Sequence, residues 1–95
     1  MASSSADVST EHASKYLQQL CKHWTHKMAT EFDPQRGRVE FPSGAVLHLE
    51  AQPAVLLLTI EHDDPAMLDR LEGVVAEHIA RFAFRETLEF NWTRS

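Results

Sequence analysis

The chain has 95 residues, 43% hydrophobic and 24% charged, which is the composition of one soluble globule with one core and excludes both global disorder and a second domain. A formal net charge of -5 and a pI near 5.6 give little attraction for phosphate backbones or anionic lipid, so neither nucleic acid nor membrane is an expected partner. A single cysteine, an N-terminus without the basic and apolar regions of a signal peptide, and apolar runs far below the ~20 residues that span a bilayer point to a cytoplasmic protein.

Residues 1–8 are small and polar and carry little to bury, so they are expected to be a disordered terminus ahead of a single α+β domain over 9–95. Ser9 or Thr10 can cap a first helix running to about Met28. Its apolar residues Ala13, Tyr16, Leu17, Leu20, Cys21, Trp24 and Met28 form one stripe at three- and four-residue spacing. From Ala29 the period changes to alternation. Strands are expected near 29–33, 37–42, 45–51 and 54–62, separated by the turn-forming residues Asp33-Pro34, Pro42-Ser43-Gly44 and Gln52-Pro53. The fourth of these, with Ala54-Val55-Leu56-Leu57-Leu58-Thr59-Ile60, is apolar on both alternating faces and should lie in the sheet interior.

A second helix begins with Asp64 as cap and Pro65 at its first position and should continue to about Ala83, with Leu68, Leu71, Val75, Ile79 and Phe82 on one side. Leu88-Glu89-Phe90-Asn91-Trp92-Thr93 alternates as a fifth strand would. The order α-β-β-β-β-α-β predicts a two-layer α/β sandwich, with both helices on one face of a mostly antiparallel twisted sheet. Pairing the fifth strand with the fourth makes the fourth interior. Pairing it with the first leaves the fourth on an edge. The uncovered face would then show Val46, Val55 and Leu57, aliphatics of a kind that favours a homodimer.

No nucleophile-base pattern, glycine-rich phosphate loop or CxxC pair is present, so the reading leans away from an enzyme and names no catalytic residue. Cys21 and His23, two apart on a helix, point about 160° away from each other and cannot share an ion. His23 and His26, three apart, make at most an incomplete metal site, because zinc usually takes three or four protein ligands. No cofactor is called for, with iron or zinc left open and His23, His26 and His78 as candidate ligands. Lys27 leans toward the apolar side one turn after His23. His78 falls within about 40° of the centre of the second helix's apolar stripe and is expected to be mostly buried. Arg81 and Arg85 suit the dipole at the end of that helix, and Arg85 can also face the seam between helices.

Tyr16-Leu17-x-x-Leu20-Cys21-x-His23-Trp24-x-His26-Lys27, Glu31-Phe32-Asp33, Phe41-Pro42-x-Gly44 and His78-x-x-Arg81-Phe82-Ala83-Phe84-Arg85-Glu86 occur here in one order. Together they resemble the bacterial domain of unknown function family 2218 (DUF2218), over about Val8 to Trp92. The resemblance implies no established activity. Relatives that stand alone or are fused to siderophore-interacting flavin reductases imply a tie to iron uptake and such a reductase as partner. His23, Lys27, His78 and Arg85 match the family pattern and are the candidate ligand-binding residues. The expected function is a non-enzymatic binding or interaction domain, homodimeric and accessory to siderophore or iron handling. The alternative is a small metal- or anion-binding protein or enzyme with its site between the two helices. Two fixed positive charges and two histidines at such a seam would suit a small anionic ligand.

Overall fold

The computed structural model describes residues 2–83 and 86–94. Strand β1 (Ala2–Ser9) is followed by helix α1 (Ala13–Trp24), strands β2 (Ala29–Phe32), β3 (Arg36–Glu40), β4 (Val46–Gln52) and β5 (Val55–His62), helix α2 (Pro65–Phe82) and the two-residue strand β6 (Thr93–Arg94). The strands form one open antiparallel sheet in the order β2-β3-β4-β5-β1-β6. Both helices cover the same face, α1 over β2 to β5 and α2 over β5 and β1. The result is the expected two-layer α+β sandwich.

The N-terminus differs from the sequence reading. Residues 2–9 are a full strand paired with β5, from Ala2 opposite His62 to Ser9 opposite Val55. Its inward residues Ser4, Ala6 and Val8 are buried. They are small enough to let α2 lie close above them, so the strand contributes a flat seat instead of bulk. That smallness made it read as a frayed tail. The first helix loses its expected cap for the same reason: Ser9 is used in the ladder, and Thr10 donates its backbone N–H to the Ala54 carbonyl. Helix α1 therefore starts at Ala13, with His12 at the cap position and no side-chain cap.

The meander matches expectation to within a residue or two, and β5 is interior, buried through Leu56, Leu58 and Ile60. Its second neighbour is β1 and not the C-terminal segment. Leu88, Phe90 and Trp92 do turn inward and pack on the core. Among the described residues of this segment, only Thr93 and Arg94 join the ladder, opposite Ser5 and Ser4. Helix α2 follows the sequence reading closely: the Asp64 carboxylate accepts from Ala66 N–H at 3.0 Å, and Pro65 takes the first position, where no donor is lost. Its buried Leu68, Leu71, Val75 and Ile79 each contribute about 1.5–3 kcal/mol of burial.

Candidate functional site in the seam between the helices

Where the end of α1 meets α2, five rings follow one another. Trp24 packs edge-on against Phe41, with centroids 5.3 Å apart. Trp24 also meets His78 at 5.2 Å, His78 meets His23 at 5.5 Å, and His23 meets Phe82 at 6.3 Å. The helix periods explain the convergence. His23 and Trp24 are the last two residues of α1, and His78 and Phe82 stand one turn apart on α2. Trp24 is buried, His78 half-buried and His23 exposed, so the row of rings runs from core to solvent. His78 is less buried than its place on the helical wheel suggested, because the seam opens at His23.

The His78 ring is oriented by its own helix. Its Nδ1 lies 2.7 Å from the Val74 carbonyl oxygen. A carbonyl only accepts, so Nδ1 carries the proton of that bond and, in the neutral ring, Nε2 keeps its lone pair. The other candidates sit differently. Helix α1 ends at Trp24, four residues earlier than expected, with both Lys27 N–H and Met28 N–H donating to the Trp24 carbonyl. Lys27 thus occupies the exposed turn after the helix and not its flank. His26 is exposed, as the wheel indicated. Arg85 lies outside the described residues.

Among the described residues no three His, Cys, Asp or Glu side chains converge as a metal set. Cys21 is buried, and burial pushes its thiol up to about 11. Its Sγ lies 2.8 Å from where a Cβ on Gly37 would stand. It is a packing residue, as the sequence suggested.

Two polar clusters were not foreseen. The Glu86 carboxylate accepts from the Tyr16 hydroxyl and, at 3.2 Å, from the Thr10 hydroxyl, tying the chain after α2 to the start of α1. Thr10 also accepts from His12 N–H at 3.0 Å. Glu72 accepts from the buried Ser4 hydroxyl at 2.5 Å and from Arg94 Nε at 2.8 Å, and Arg94 also pairs with Asp69. Both clusters join residues about 70 positions apart in sequence, so no local spacing signals them.

A depression of about 710 Å³ lies on the uncovered face of the sheet, lined by residues that include Arg36, Arg38, His48 and Glu50. Three of its polar side chains are already paired: Arg36 with Glu50 at 3.6 Å, Arg38 with Glu40 at 2.6 Å and His48 with Glu61 at 2.8 Å. That is the pattern of a solvated face. The seam, with an oriented imidazole beside an exposed one, is the better candidate for chemistry.

Fold and seam together define a small α+β sandwich domain with a two-histidine junction between its helices. Residues 5–93 match the sequence profile of a bacterial family described as uncharacterized proteins conserved in bacteria, DUF2218, and the chain belongs to that family. It is also similar to PA4090 from Pseudomonas aeruginosa, whose structure was determined by NMR. The two share 38% identity and a TM-score of 0.82, with 98% of this chain and 96% of that one covered. No curated protein matches the chain. No helix among the described residues is long and apolar enough to cross a membrane.

Proposed function

We propose that the protein is a small-ligand-binding module without catalysis of its own, and that its ligand seat is the seam of His23 and His78. The observation that carries this reading is the approach of the two imidazoles to 5.5 Å from separate helices, against the Trp24 and Phe82 rings. An imidazole offers a lone pair when neutral and a donor pair when protonated, so the seat suits a metal ion or a small anion. Lys27, in the exposed turn that follows α1, adds a positive charge near that end of the helix. A bound ligand stabilises the folded state by mass action. In thermal-shift measurements at pH 6 and pH 8 with small carboxylates, phosphate and divalent cations, at least one class should raise the wild-type Tm and leave His23→Ala unmoved. No His23-dependent shift with either class overturns the seat.

The wider setting is also proposed. Cytoplasmic residence fits a lone, buried, unpaired thiol. The tie to iron or siderophore handling rests on the family resemblance. Direct titration against a siderophore-interacting flavin reductase tests it, and no binding at micromolar concentration of each removes that partner. Homodimerisation through the uncovered sheet face is favoured by half-buried Val46, Val55 and Leu57, which no helix covers.

A further inference from the structure

We infer that His23 and His78 together clamp one divalent transition-metal ion across the seam, leaving its remaining positions to water or to an anionic oxygen ligand. The inference rests on the seam being a ligand seat and names what the seat takes. With metal–nitrogen bonds of about 2.0–2.1 Å and near-tetrahedral angles, two imidazoles on one ion hold their ring centres roughly 5–6 Å apart. The two rings stand at 5.5 Å, tilted by 47°. A second observation is independent of that distance. Histidines that bind metals almost always donate the other ring N–H to a carbonyl or carboxylate, which fixes the ring and raises its basicity. The Nδ1–H bond from His78 to the Val74 carbonyl at 2.7 Å is that arrangement, with Nε2 left as the ligand atom.

The surroundings agree. His23 is exposed, while His78 is half-buried and held by its backbone bond, so an ion has an open path past His23 to a preset ligand. Imidazole donors without thiolate or carboxylate suit copper(II), nickel(II) and zinc and not calcium or magnesium. Two protein ligands are fewer than a structural zinc site uses. The ion is therefore exchangeable, and the fold does not depend on it.

The test is calorimetric titration of the protein without an affinity tag with Cu²⁺, Ni²⁺ and Zn²⁺, alongside electron paramagnetic resonance of the copper form. One ion per chain is expected, with a copper spectrum showing nitrogen coordination. His23→Ala, at an exposed position that does not threaten folding, and His78→Gln should each weaken binding at least about tenfold. His26→Ala should leave it unchanged. Binding that ignores His23→Ala, binding lost with His26→Ala, or no binding at millimolar metal overturns the clamp. If small anions still raise the Tm through His23, the metal is wrong and the seat stands. If neither class responds to His23→Ala, both are wrong.

Discussion

Tyr16 is buried, and its hydroxyl donates to Glu86. Burial first, and then the Glu86 hydrogen bond, push its pKa up to about 12 from an ordinary 10. The folded state therefore holds this proton at a pH where the unfolded chain has released it, and stability falls as pH rises from 10 to 12. Cys21, raised to about 11 from 9 by burial, adds a decline between those values. Denaturant midpoints measured from pH 9 to 12 should fall throughout. Tyr16→Phe should flatten the part above pH 10 and, at neutral pH, cost about 1.5–3 kcal/mol for a lost bond to a charged acceptor. At the seam, His78→Ala should cost about 1 kcal/mol for its single backbone bond and partial burial, and His23→Ala should be near neutral. Equal costs for the two would contradict the gradient of burial from Trp24 to His23. These roles were only partly legible beforehand. The wheel placed His78 near the apolar side of its helix. Glu86 gave no sign, because its partners lie in another part of the chain.

Helix α1 lies so close to β3 that Gly37 has no room for a side chain. An added Cβ would stand 2.8 Å from Cys21 Sγ and 3.3 Å from Leu49 Cδ1. Gly37→Ala should cost about 1–3 kcal/mol through overpacking. In the background Cys21→Ala, which removes the sulfur, the same change should cost clearly less. A double-mutant cycle measures the difference, and strict additivity would place the strain elsewhere. The N-terminal strand gives the sharpest test between sequence and structure. Deleting residues 2–9 would be neutral for a frayed tail. Here it strips Ala6 and Val8 from the core and bares the edge of β5. The truncated chain should lose cooperative unfolding, since a domain's whole net stability is only about 5–15 kcal/mol. The meander and α2 were legible because Pro, Gly and Asp punctuate strong apolar periods. β1 was not, because its inward face is built of serine and alanine, whose alternation carries almost no hydrophobic contrast.

At the scale of the molecule, one face of the sheet is sealed by two helices and the other is open. The open face mixes signals: Leu57 stands opposite Glu50 on one side and Asp7 on the other, so its aliphatics are interleaved with charge. The proposed dimer is checked by sedimentation at micromolar concentration, which should give about twice the 10.8 kDa chain mass. Leu57→Lys should return the monomer while its new charge pairs with Glu50 and Asp7 and spares the fold. A wild type that sediments as monomer ends that proposal. The seam is the feature on which function turns. The most direct test is an NMR titration following the ring protons of all six histidines as Zn²⁺ and then small anions are added. The account predicts that His23 and His78 respond together, along one binding curve, while His26 stays still. A response at His26 without His78, or no ligand of either class moving the pair together, would contradict it.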